Sequence, residues 1–250
     1  MRRLLYLAVV TATLLSSQGT EVITARRRKA PAATSITRAH TVFQADTTQY
    51  NCSPTCSITV PSTTSGNLLV FTSVNADSAT ALLTPSGGGT WVTCSYATTT
   101  PIPETVAIYY VLSATGGTTS ISLSASYEDY YGIAYTEYAG GTFTLDGACQ
   151  NTSGGATATP LSPSLTTAGA KDVLVTVLGS VYIDYGAPAT TVSGAGWTSP
   201  LQTYLWLNKF APGNAVGIFD DGLNVAAGTY QATFNASPEP YLSIGAAFTN

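Results

Sequence analysis

Apolar and polar residues fall along this chain in short blocks separated by turn residues. Ser120-Ile121-Ser122-Leu123-Ser124 alternates strictly, which turns one face to a core and the other to water. Leu68-Leu69-Val70-Phe71 and Val173-Leu174-Val175 are unbroken apolar runs, the pattern of central strands covered on both sides. The pattern predicts strands near residues 68–74, 91–97, 105–112, 118–125 and 131–139, then near 172–179, 197–206, 215–220, 229–235 and 241–249. Residues 41–61 add one or two more. No stretch keeps a helical period. About ten to twelve antiparallel strands must bury their apolar faces against one another, which a sandwich or a closed barrel achieves.

The chain repeats itself. Thr63 to Asp77 reads TTSGNLLVFTSVNAD, and Thr166 to Asp184 reads TTAGAKDVLVTVLGSVYID. Both hold Thr-Thr-x-Gly, an apolar strand and Ser-Val-x-x-Asp, from Ser73 and from Ser180. A Gly-rich turn then ends in Trp91 in one copy and Trp197 in the other. Leu112 to Tyr130 matches Leu223 to Tyr241 without gaps. Repeats at about 63–140 and 166–250 point to a duplicated unit. The expected fold is an all-β, antiparallel, jelly-roll-like sandwich of two pseudo-symmetric halves, forming a single domain over 40–250.

Composition and charge narrow the setting. Charged residues make up 9% of the 250 residues, against about 25% in ordinary soluble domains. Seven of the nine basic residues lie in the first 38 positions, and from residue 39 onward Lys171 and Lys209 face twelve acids. Such a body repels phosphate backbones and anionic lipid, so nucleic-acid binding is not expected. Arg2 and Arg3, the apolar run Leu4 to Leu15 and Ser17-Gln18-Gly19 make residues 1–19 read as a signal peptide. Residues 20–39 read as a basic, disordered leader or linker, although Arg26 to Lys29 could also hold an uncleaved anchor or mark a processing site. The expected location is secreted or cell-surface, with no membrane span in the mature domain. Cys52, Cys56, Cys94 and Cys149 permit two disulfides, and Cys52 and Cys56 could close a tight loop by themselves.

The TT-x-G-NLLV opening, Ile108-Tyr109-Tyr110, GGTTSISLS and Glu137 to Gly140 resemble a group of secreted bacterial β-sandwich domains. These occur in large extracellular proteins and generally carry no assigned activity. The resemblance covers nearly all of residues 40–250. It implies a fold and a location, and no reaction.

Duplication also sorts the candidate residues. Those present in both halves serve the fold: Glu128 with Glu239, Trp91 with Trp197, Asp77 with Asp184. Unmatched polar and aromatic residues are candidates for function. Tyr127 and Asp129 stand where the second half has Pro238 and Pro240, and with Glu128 and Tyr130 they form an acidic, aromatic loop. Rings that cover C–H faces beside carboxylates that accept hydroxyl hydrogen bonds suit a polysaccharide or cell-surface glycan. Tyr182, Tyr185 and Trp206 are further unmatched aromatics. Asp220-Asp221 could hold calcium, although EF-hand spacing is absent and a plain turn is the simpler reading. No other cofactor is expected. His40 lacks partners for a catalytic triad, whereas paired carboxylates among Glu128, Asp129, Glu137, Asp220 and Asp221 could serve glycoside hydrolysis. Three functions follow: a non-catalytic binding or surface-structural module, a glycosidase, and a self-associating structural subunit of an extracellular matrix or filament.

Overall fold

The computed structural model describes residues 34–45, 52, 54–75, 82–98, 104–125, 131–183, 192–197, 202–207, 214–235 and 239–250. The segment read as a signal peptide and most of the basic leader lie outside these residues, as do Asp77 and Asp184. Among the described residues every regular element is a strand.

The first half winds as a jelly roll. One antiparallel sheet runs in the order β1 (Thr37–Ala45), β8 (Tyr131–Ala139), β3 (Leu68–Asn75), β6 (Glu104–Val111), β5 (Val92–Thr98). A smaller sheet runs β2 (Thr55–Thr59), β7 (Ser120–Ala125), β4 (Leu83–Ser86). The second half repeats the larger sheet as β10 (Gln150–Thr157), β18 (Glu239–Thr249), β12 (Asp172–Ile183), β15 (Asn214–Val225), β14 (Gln202–Leu207). Here β9 (Thr144–Leu145) also pairs with the end of β18. The smaller sheet is split into two ribbons, β11 (Leu165–Thr167) with β16 (Gly228–Tyr230), and β13 (Val192–Ser193) with β17 (Thr233–Phe234). Equivalent strands therefore occupy equivalent places, which is what a duplication requires.

Three apolar layers hold the molecule together. Val70, Ile108, Tyr110 and Tyr138 of the first large sheet pack against Val175, Val177, Phe219 and Phe248 of the second. On the far side of the first sheet Leu69, Phe71 and Tyr109 meet Ile58, Ile121 and Leu123 of the small sheet. On the far side of the second, Leu174 and Leu178 lie under the ribbons, with Trp197 against both clusters. Trp91 packs on the corresponding outer cluster of the first half. β3 and β6 are buried at every position, because each is covered on both faces. β7, covered on one face, alternates as its sequence requires.

The ladders refine the repeat. Leu69 pairs with Val111 and Leu174 with Gly222, so the matched Val111 and Gly222 set Leu69 opposite Leu174 in the comparison of halves. Asn75, not Ser73, then stands level with Ser180. The Ser-Val-x-x-Asp match is off by two residues, a slip that keeps every side chain on its face. Two further boundaries differ from expectation. β1 begins at Thr37, and Ile36 is a core residue, so the fold takes in the end of the segment read as leader. β15 continues to Val225 because its later residues still have β12 and an apolar seam to pair with, which places Asp220 and Asp221 inside a strand and not in a turn.

The turn before Trp91 needs its glycines. Gly88 and Gly89 take positive φ, and a Cβ on Gly89 would fall 2.4 Å from a methyl of Val111.

Both disulfides form, Cys52 with Cys56 and Cys94 with Cys149. The first closes a local loop, whereas the second ties β5 of one half to the start of β10 in the other. Their sequence separations of 4 and 55 residues set their worth to the unfolded chain. Replacing Cys94 and Cys149 by Ser should cost about 4 kcal/mol in urea unfolding, and replacing Cys52 and Cys56 about 2 kcal/mol.

Candidate functional site

Strand direction decides which candidates can meet. β1, β3 and β5 run toward the end of the first large sheet at which β6 and β8 begin. β10, β12 and β14 run toward the end of the second at which β15 and β18 begin. Glu104, the first residue of β6, lies against Gly179 in the last part of β12. Arg38, near the start of β1, reaches Asp221, near the finish of β15. The two sets of ends therefore share one side of the stack, here called the upper end.

Two of the candidates have described backbones there. Tyr182 and Trp206 are the penultimate residues of β12 and β14, so their backbones reach the upper end. Tyr127, Glu128, Asp129 and Tyr130 lie outside the described residues, but Ala125 and Tyr131, which flank their segment, close β7 and open β8 there. Tyr185 also lies outside, two positions beyond the last residue of β12.

The acids predicted for chemistry have other surroundings. Asp220 and Asp221 are consecutive strand residues that turn to opposite faces, so they do not converge on one ion. Asp221 is fully buried in the seam between the halves. Its Oδ2 accepts from Arg38 Nε at 2.7 Å and from the Tyr138 hydroxyl at 2.8 Å, while Arg38 Nη2 pairs with Oδ1. The Arg38 guanidinium is raised above its usual range chiefly by that hydrogen bond. Burial first, and then the Asp221 carboxylate, holds the Tyr138 phenol well above its own. At the matching place in the other half Tyr110 stands edge-on to Phe248 with ring centroids 5.1 Å apart. One position thus carries an ion pair in one copy and an aromatic pair in the other.

Glu137 is also a structural acid. It is fully buried, and its Oε1 accepts from the Thr64 amide at 2.8 Å and from Asn67 Nδ2 at 2.6 Å, fixing the Thr-Thr-x-Gly turn against β8. Nearby, burial pushes the Tyr109 phenol up to about 12, so it stays neutral and is no base at ordinary pH. At the lower end, a recess of about 290 Å³ is lined by Asp146, Gln150, Ser164 and Thr166. Asp146 accepts there from the Ala168 amide at 2.6 Å, and Asp172 accepts from the next amide, Gly169, at 3.1 Å. Among the described residues no group of three or more His, Cys, Asp and Glu is placed to hold a metal ion. Nor is any helix there long and apolar enough to cross a membrane.

Glu104 is the residue that sequence reasoning missed. It opens the strand Glu104-Thr-Val-Ala-Ile-Tyr-Tyr-Val, is 3% exposed, and has an Oε1 with no hydrogen-bond partner. Aligning the repeats at that position would have flagged it, because the second half has Ala215 there.

No protein-family model, curated protein or solved structure matches this chain.

Removing one member of a buried ion pair strands the other. Arg38→Ala should therefore lower stability by about 2 kcal/mol, the solvated side of the guanidinium keeping the loss below that of a wholly buried pair. Adding Asp221→Asn to Arg38→Ala should recover part of the loss in a double-mutant cycle followed by urea unfolding.

Proposed function

We propose that this protein is an exported, non-catalytic module that binds glycans at its upper end. Tyr127, Glu128, Asp129 and Tyr130 on the β7–β8 connection would be the main contacts, with Tyr182, Tyr185 and Trp206 beside them. The observation that carries the reading is that the strand ends flanking all these residues gather on one side of the stack. On this reading, seven residues scattered over 80 positions of sequence, from Tyr127 to Trp206, would meet one ligand. Aromatic rings supply flat apolar cover for sugar C–H faces, and the carboxylates accept hydroxyl hydrogen bonds. Two disulfides suit an oxidising compartment, in keeping with export. A glycosidase would draw its paired acids from the same list, and Glu137 and Asp221 are already committed to interior hydrogen bonds.

A structural role in an extracellular assembly is favoured by one feature. β10 is an edge strand whose eight residues, QNTSGGAT, are mostly exposed and carry no charge to deter pairing with another chain.

A polysaccharide pull-down panel separates these readings. The wild type should be retained on at least one polysaccharide, and Tyr127→Ala/Tyr130→Ala should reduce that retention tenfold or more. Equal retention of both proteins would remove the β7–β8 connection from the site. Concentration-dependent growth in light scattering without glycan would favour the assembly role.

A further inference from the structure

Among the described residues, several of the bonds that join the two halves lie at the lower end. Asn224, a residue with φ of 57°, sits at a bulge in β15 and bonds both the amide and the carbonyl of Ile36, at 2.7 and 2.8 Å. Lys171 Nζ donates to Ser35 Oγ at 2.9 Å, and Asn250 Nδ2 donates to the carbonyls of Thr34 and Gly140. Arg38, Asp221 and Tyr138 lie just above. On the opposite edge the Cys94–Cys149 disulfide and the Tyr96–Ser153 hydroxyl pair, 3.1 Å apart, hold β5 to β10.

Glu104 occupies the same seam at its upper end. Its Oε1 lies only 2.1 Å from where a Cβ on Gly179 would be, so the carboxyl fits because β12 has no side chain there. Gly179 pairs with Gly217 across the ladder, which widens the gap. The duplication provides a control for this place. The residue at the position of Glu104 in the second half is Ala215, and the residue at the position of Gly179 in the first half is Val74. The carboxyl is thus particular to one copy, and unlike Glu137, whose counterpart is Ala247 and whose Oε1 holds the Thr64 turn, it has an Oε1 with no hydrogen-bond partner. Its burial carries a desolvation cost that no hydrogen bond of that oxygen offsets.

We propose that Glu104 makes the upper part of the seam a proton-operated joint: the neutral carboxyl lets the two sheets close, and its ionisation parts them while the lower end stays fastened. The carboxyl lies against Gly179 of β12 beside Val106, Thr98 of β5 stands opposite Glu104 in the ladder, and Val74, Tyr96, Val177 and Leu242 belong to the same seam layer. None of these residues carries a charge to offset an ionised carboxyl. Burial accordingly raises the Glu104 carboxyl well above its ordinary 4.5. The sign follows from linkage. With the folded value raised, the stabilisation is complete below the ordinary value and is lost as pH rises toward the folded one.

Two measurements on the whole protein test the joint. Melting temperature should fall by about 3 °C per pH unit above pH 5 in the wild type. That fall should shrink by the same amount in Glu104→Gln and in Glu104→Ala, the latter copying Ala215. Hydrogen exchange at pH 5 and pH 8, corrected for intrinsic rates, should show protection lost at the start of β6 and the end of β12 but kept around Asn224 and Asp221. Glu104→Gln should abolish the difference. Equal pH slopes for wild type and both variants would overturn the proposal. So would a loss of protection spread evenly over both ends of the seam.

Discussion

Everything in this molecule depends on the burial of two large sheets face to face. Val70, Ile108 and Tyr138 on one side, and Val175, Phe219 and Phe248 on the other, leave the water only when the repeats meet. Each half is a jelly roll with an inner layer of its own, but its larger sheet would expose a broad apolar face without the partner. Hydrophobic contact of this kind has no direction. Polar and covalent ties therefore fix the alignment: Asn224 on Ile36 and Arg38 on Asp221 along one edge, Cys94 on Cys149 along the other.

Duplication has freed single positions from the demands of packing. Tyr110 and Phe248 make an aromatic contact where Tyr138 and Asp221 make a hydrogen bond, and both solutions fill the seam. Ala215 in place of Glu104 makes the same point from the other direction. In such a fold, the difference between two equivalent positions is more informative than either residue alone. A buried polar group that its twin does without, and that has no hydrogen-bond partner of its own, is the one to test for a role beyond the core.

The repeat and the strands were legible because they leave local marks. Apolar runs at Leu68 to Phe71 and Val173 to Val175, the alternation at Ser120 to Ser124 and the Gly-rich turns before Trp91 and Trp197 reappear as central strands, a half-exposed strand and tight turns. Neighbouring strands such as β10 and β11 were invisible, since Gln150 to Thr157 holds no apolar face to betray it. Arg38 was read with the basic leader because nothing in its neighbourhood reveals a partner 183 residues away. Asp220 and Asp221 suggested a turn or a cation site because a strand with two central acids is rare unless a partner, here half-buried Arg38 and buried Tyr138 at Asp221, meets the charge. The candidate residues could be named from composition. That the ends of β7, β12 and β14 and the start of β8 share one side of the stack could not, because it follows from how the sheets face each other.

The most direct test of that facing arrangement is whether the halves unfold as one. Trp91 sits on the outer cluster of the first half and Trp197 on that of the second. Replacing Trp206 and one of these two by Phe leaves a single tryptophan in a chosen half, read by fluorescence against far-ultraviolet circular dichroism of the whole chain in urea. The shared seam predicts one transition, with fluorescence and dichroism coincident in each protein. Two dichroism steps, with the tryptophan of each half following a different one, would contradict it.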